Sequence, residues 1–362
     1  MTVESAKESG GKRIFWTAVR GLRAILKSEH FVLYVTLLFF AFLVPFIPQI
    51  AKPGNLSNLL SNIWPLLVIA VGQTYVMIAG GIDLSQIAVI AVTSVIGAAV
   101  MTLGVDSRVF EGTILWGTII SPDGGIFAGH VWSMPAALIV MIVTGGAIGA
   151  LTGRLIASFS LPAFMMSLIS LLFFSAFAVW LTHSENVTNL PHSFSLIAER
   201  GYGGFLSWSA LLAIGVTFLA HIGLSRTVFG RWLYATGMNQ SAAKISGIPV
   251  NRVIVLSFVV SGVCAAIGSI LYSARLEMGR PAFGDNMNLL LDVVGATVIG
   301  GTSLFGGSGK ILWTIYGVLL FVLLSNALNL MNLSFYAVFI VKGCVILVAA
   351  FLDVWRREAS SK

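Results

Sequence analysis

Charge is scarce in this chain. Asp, Glu, Lys and Arg make up 10% of its 362 residues, hydrophobic residues make up 57%, and the mean hydropathy is +0.95. A soluble domain needs more polar surface than that, so the composition points to a polytopic membrane protein. Cysteine is nearly absent. Cys264 and Cys344 fall inside apolar runs with no Cys-x-x-Cys or His partner nearby, so neither a disulfide nor a metal site is expected. The five histidines never pair at i, i+4, which removes the zinc-protease pattern His-Glu-x-x-His. G-x-S-x-G is missing as well, and with it the nucleophile elbow of a hydrolase. A phosphate loop is lacking too: before Gly309-Lys310, Leu304 stands where the first Gly belongs, and Ile311 where Ser or Thr belongs. Hydrolysis, a cofactor and a metal are therefore not expected of this chain. The net charge of +7 would suggest nucleic acid in a soluble protein, but here it reflects Lys and Arg gathered on one side of a membrane.

Long hydrophobic runs are what the chain does have. About 20 apolar residues cross a bilayer as a helix, and runs near 31–49, 60–79, 86–103, 134–157, 162–182, 206–224, 253–273, 288–302, 311–330 and 335–354 predict about ten transmembrane helices. The expected fold is thus all-α, with both termini on the same side. Assigning that side as the cytoplasm places fifteen of the 21 Lys and Arg in cytoplasmic loops and tails, and five (Lys52, Arg108, Arg200, Arg275, Arg280) outside. Lys342 lies in the last span. Residues 1–29 read as a cytoplasmic segment, with Arg13, Arg20, Arg23 and Lys27 on one helical face and Ile14, Ala18, Leu22 and Ile25 on the other, an interfacial helix against lipid. Residues 30–355 form the transmembrane domain, and 356–362 a cytoplasmic tail.

Two spans are interrupted. Gly80-Gly81-Ile82-Asp83-Leu84-Ser85 stops the second run and brings a carboxylate into or beside the membrane. The eighth run is short, contains Asp292, and leads into GGTSLFGGSGK at 300–310. Both stretches read either as broken or re-entrant elements or as tight turns between helices. The sparse, mostly uncharged groups around them suit a neutral polyhydroxyl solute, and Gln73, Asp83, Ser85, Asn288, Asp292 and Thr297 are the candidate pathway residues. Asp83 could equally cap the helix that resumes after Ser85, and Asn326 and Asn329 read better as residues joining helices.

The polar loop between the sixth and seventh runs holds a short helix. Asn239 can cap its start, Gln240, Ser241, Ala242, Ala243 and Ser246 fill it with mostly small side chains, and Gly247 followed by Pro249 stops it. It reads as an ordinary solvated loop helix or as a handle for another protein's groove.

Taken in order, GGIDLS at 80–85, LPAF at 161–164, NQSAAKISGI at 239–248, Leu291-Asp292 before GGTSLFGG, and a last run ending near Asp353 resemble the ribose/galactose-type ABC sugar permeases over roughly residues 30–355. The resemblance implies a bacterial inner-membrane permease that pairs with a second copy or a paralogue. It also implies docking of a cytoplasmic ABC ATPase on a coupling helix made by Asn239, Gln240, Ala242, Ala243, Ser246, Gly247 and Ile248, and receipt of a monosaccharide from a periplasmic binding protein. The chain departs from that pattern at Gln86-Ile87 and Leu290, which leaves the sugar open, and at Gln240, which bears on the implied ATPase contact. A permease for another small solute, such as an amino acid or nucleoside, and an ion-coupled secondary transporter are the alternatives.

Overall fold

The computed structural model describes residues 28–199 and 207–360; the expected interfacial helix lies almost wholly outside them. The principal helices are α1 (Phe31–Leu43), α2 (Pro53–Ile78), α3 (Gln86–Met101), α4 (Ser133–Phe159), α5 (Ala163–Thr182), α6 (Trp208–Arg226), α7 (Val228–Met238), α8 (Gln240–Ile245), α9 (Val250–Leu276), α10 (Met287–Gly300), α11 (Ile311–Leu330) and α12 (Phe335–Ser360). Among the described residues the only sheet is a hairpin pairing Ile120–Ser121 with Gly124–Gly125. Six helices (α2, α4, α5, α6, α9, α11) are long and apolar enough to cross a membrane; α1, α3, α10 and the 335–351 part of α12 are shorter apolar helices. The protein is a helical, multi-pass membrane protein.

The helices sort into an interior and a shell. The apolar windows of α2, α9 and α11 are 72%, 67% and 61% buried, against 28%, 33% and 28% for α4, α5 and α6. Every residue of α3 except Ile96 is buried, although it has only 16 residues. The shell turns Ile139, Val143, Phe164, Leu172, Phe173, Phe218 and Leu219 outward, the side chains a lipid surface accepts. On α4, Gly145, Gly149 and Gly153 repeat at every fourth position and face α9. A Cβ on Gly149 would collide with the Phe258 carbonyl, so the two backbones approach as closely as small residues allow. Segment 104–132 packs Phe110, Leu115 and Ile120 against Val95, Leu181 and Val187 and closes one end of α3 and α5.

The sequence left two readings for Gly80–Ser85, and the structure selects the break. Gly80 takes a positive φ of +87°, open to glycine at little cost, and the chain then turns back. Gln86 Nε2 donates to Ile69 O at 3.1 Å. Ile69 precedes the end of α2 by nine residues, roughly 13 Å at 1.5 Å per residue. Helix α3 therefore begins well inside the bundle, and residues 81–84 cross that depth without helical hydrogen bonds.

Unwound backbone at that depth needs partners from side chains. Gln73 supplies them: with its amide oriented as its neighbours require, its nitrogen donates to Asp83 O (3.1 Å) and Gln86 Oε1 (3.2 Å), and its oxygen accepts from Asp83 N (3.3 Å). Asp83 Oδ1 accepts from Ser85 N (2.9 Å) and Ser85 Oγ (2.6 Å), while Oδ2 accepts from Ser261 Oγ of α9 (2.6 Å). Gln86 Nε2 also donates to Ser261 Oγ at 2.9 Å. Gln73, Asp83, Ser85, Gln86 and Ser261 are all buried.

This network makes Asp83 the acceptor that staples the break to α9. Replacing Asp83 with Ala strands three buried donors and is expected to cost about 3 kcal/mol or more, whereas Asn keeps an acceptor at Oδ1 and costs about 1 kcal/mol. Thermal unfolding in detergent checks it: the midpoints should fall in the order wild type, Asp83→Asn, Asp83→Ala. An Ala variant as stable as wild type would remove the staple.

Candidate functional site

At the end of the bundle where α2 terminates, α7 and α8 form a knob. Thr227 caps α7 by accepting from Gly230 N at 3.2 Å, and Asn239 caps α8 by accepting from Ala242 N at 2.9 Å. Gly247, at φ +81°, ends the turn after α8. Asn239, Gln240, Ala242, Ser246 and Gly247 are exposed and Ile248 is half-buried. Ala243 differs from its expected place in a water-exposed loop: it is buried, because the inner face of so short a helix rests on the neighbouring α7 and α9. A bulky residue there would disturb the knob's own packing. Sequence reasoning passed over the knob's two most protruding apolar side chains, Met238 (76% exposed) at the end of α7 and Ile245 (88% exposed) at the end of α8. Their signal was available as large apolar residues inside a polar loop.

The base of the knob is fixed by backbone contact. Gly237, two residues before the Asn239 cap, lies so close to the end of α2 that a Cβ would collide with Ile78 O. The same carbonyl accepts from Gly307 N at 2.9 Å, and Tyr234 Oη donates to Gly309 O at 2.6 Å. A Cβ on Gly306 would come within 2.7 Å of Gly80 Cα. Loop 301–310, the Gly80 turn and α7 thus meet at a single junction. Lys310 also pairs with Glu29, just before α1, and holds that carboxyl below the usual carboxylate range. A cavity of about 480 Å³ lies between the knob and the break, with Gln240, Asn251 and Gly80–Ile82 in its wall.

A second cavity, of about 660 Å³, opens at the opposite end between α2, α10, α11 and α12. Its wall is unusually rich in amides: Asn55, Asn58 and Asn62 from α2, Asn286 and Asn288 at the start of α10, Asn326 and Asn329 from α11. The α2 residues share one face, spaced three and four apart. Asn55 and Asn326 pair reciprocally at 2.9 Å in both directions, so Asn326 joins two helices. Arg275 donates to Asn62 Oδ1 and Asn58 Oδ1 at 2.7 and 2.8 Å. Asp292 of α10 and Lys342 of α12 form an ion pair at 2.5 Å, with the lysine side chain 4% exposed. A lone charge at that depth would be costly, and each group answers the other.

The six expected pathway residues therefore separate. Gln73, Asp83 and Ser85 lie in the hydrogen-bonded break, and Thr297 is buried in α10, where its hydroxyl donates to Val294 O (2.8 Å) and contacts Met77 Sδ. Asn288 and Asp292 line the amide-rich cavity. Among the described residues no cluster of His, Cys, Asp or Glu could hold a metal ion.

Residues 55–350 match the family described as branched-chain amino acid transport system / permease component. The ribose import permease protein RbsC of Escherichia coli (strain K12) is 31% identical, with 92% of this chain and 97% of that protein covered. The protein of the same name in Haemophilus influenzae is 29% identical over 91% of this chain and 94% of its own length. The L-arabinose transport system permease protein AraH of E. coli (strain K12) is 29% identical over 92% of each. No solved structure matches.

Proposed function

The chain belongs to the transport-system permease family, and from that membership we propose that it is the membrane subunit of an ATP-driven importer carrying a monosaccharide delivered by a binding protein. The observation that carries the reading is likeness along nearly the whole length to permeases named for ribose and arabinose, in a chain with no phosphate loop of its own. In this reading the chain crosses a bacterial inner membrane ten times, the four shorter apolar helices completing the set of spans, and both termini face the cytoplasm. The knob is then cytoplasmic, as the distribution of Lys and Arg supports, and Asn239, Gln240, Ala242, Ser246 and Gly247 meet a separate ABC ATPase together with Met238 and Ile245. The amide-rich cavity faces the periplasm, where the binding protein docks, and a second copy or paralogue completes the permease.

Two observations favour this reading over its alternatives. An ion-coupled carrier needs a carboxylate free to exchange a cation, whereas Asp83 is held by Ser85 and Ser261, and Asp292 by Lys342. An amino acid, as in the family's description, brings two charges, and the only oppositely charged groups in the wall of the amide-rich cavity already neutralise each other.

Proteoliposomes holding the chain alone should show no concentrative sugar uptake under a proton or sodium gradient, and should gain it when the ATPase, ATP and binding protein are added. Accumulation driven by an ion gradient would retire the proposal. A second expectation concerns the knob. Ile245→Glu and Met238→Glu change exposed positions, so unfolding midpoints should hold, yet ATPase recovered by co-purification should drop at least about tenfold, the effect of losing one apolar anchor. Full recovery with both variants would show that the ATPase docks elsewhere.

A further inference from the structure

Most polar groups of the amide-rich cavity are already engaged with protein: Asn55 with Asn326, Asn58 and Asn62 with Arg275, Asp292 with Lys342. Two are not. Asn288 Oδ1 and Ser325 Oγ are buried atoms with no hydrogen-bond partner, and both residues stand in the wall of this cavity. A buried polar atom without a partner costs about 1–3 kcal/mol, so Asn288 and Ser325 are wall residues whose hydrogen-bonding capacity the protein itself leaves unused. The cavity's 660 Å³ lies within the range of about 300–1,000 Å³ usual for small-molecule sites.

The chemistry of the wall narrows the visitor. Its two charged members pair with each other, so the lumen offers no net charge to an ion. Carboxamides and a hydroxyl both donate and accept, as paired sugar hydroxyls do. Tyr272, Phe335, Leu333 and Val338 add an apolar side for the C–H face of a ring. The geometry points to this cavity as a receiving site for a neutral polyhydroxyl solute, held by Asn288 and Ser325 on the side where cargo arrives. This assignment rests on the importer reading for its direction, and on the cavity alone for its ligand. Most of the wall's hydrogen-bonding capacity is spent internally, so the site holds its ligand weakly, with a dissociation constant on the order of 1 mM. That suits a stage between a tight binding protein and release.

The test uses the full chain in lipid nanodiscs, with D-ribose as probe, mannitol as an acyclic polyol and L-leucine as a zwitterionic comparator. Ligand-observed NMR should show saturable ribose binding, weakened about tenfold by Asn288→Leu, the effect of losing one hydrogen bond. In a Cys344→Ser background, Ser325→Cys should be labelled by a membrane-impermeant thiol reagent and protected by ribose but not by leucine. The second variant keeps the test open should Asn288→Leu prove unstable. In proteoliposomes with ATPase and binding protein, Asn288→Leu should lower maximal uptake and leave the half-saturating sugar concentration unchanged. Absence of ribose binding to wild type, unaltered binding in Asn288→Leu, or protection by leucine alone would each overturn the site. Ribose protection without ATP-driven uptake would instead overturn the importer reading and leave the site standing.

Discussion

A bilayer interior offers no water to backbone amides, and that constraint governs how this chain can be broken. Residues 81–84 leave the helix at depth, and the break persists because Gln73 answers Asp83's own N–H and C=O while the Asp83 side chain reaches Ser261 on α9. The buried carboxylate is thus set in place by the needs of the backbone around it. Its position also fixes where α3 begins, and α3 packs on α4, α5 and α9. Without the break, α3 would begin level with the end of α2, and those packing surfaces would lose register.

Helix α2 links the two ends of the molecule. Its first turns carry Asn55, Asn58 and Asn62 into the amide-rich cavity, and its last carbonyls receive Gly307 and crowd Gly237. Across 26 residues, or about 39 Å at 1.5 Å per residue, it is a single, mostly buried helix containing Pro65. A force applied to the knob passes through Gly237 into the end of this helix by backbone contact, with no flexible side chain between to absorb it. Glycine at 237, 306 and 307 permits that contact.

Much of this was legible in the chain, and what was missed has a common cause. The break announced itself as Gly80-Gly81 inside an apolar run, and the α8 helix as Asn239 followed by small residues, because caps and turns are written in neighbouring positions. The identity of Asp83's partner was not written locally: Ser261 lies 178 residues away and is an ordinary serine in an apolar helix. The same distance hid the amide-rich cavity, whose Asn residues come from α2, α10 and α11 and looked like scattered polar positions. Ala243 was misplaced for the opposite reason. Its loop is polar and exposed, but a short helix laid on another must bury one side, and sequence composition does not say which.

The Asp292–Lys342 pair shows how the amide-rich cavity stays neutral in a membrane. A buried ion pair is weak evidence for stability, since desolvating two charges offsets most of their attraction. Leucine or methionine at both positions would pack α10 against α12 with less risk. What the pair provides is a polar floor with no net charge: the carboxylate and ammonium each satisfy the other and still present polar atoms to the lumen beside Asn288. An apolar floor would leave that amide facing hydrocarbon, and a single charge would select an ion. Among these arrangements, only the pair keeps the cavity floor polar and uncharged together. A neutral, hydroxyl-rich solute requires both of those properties.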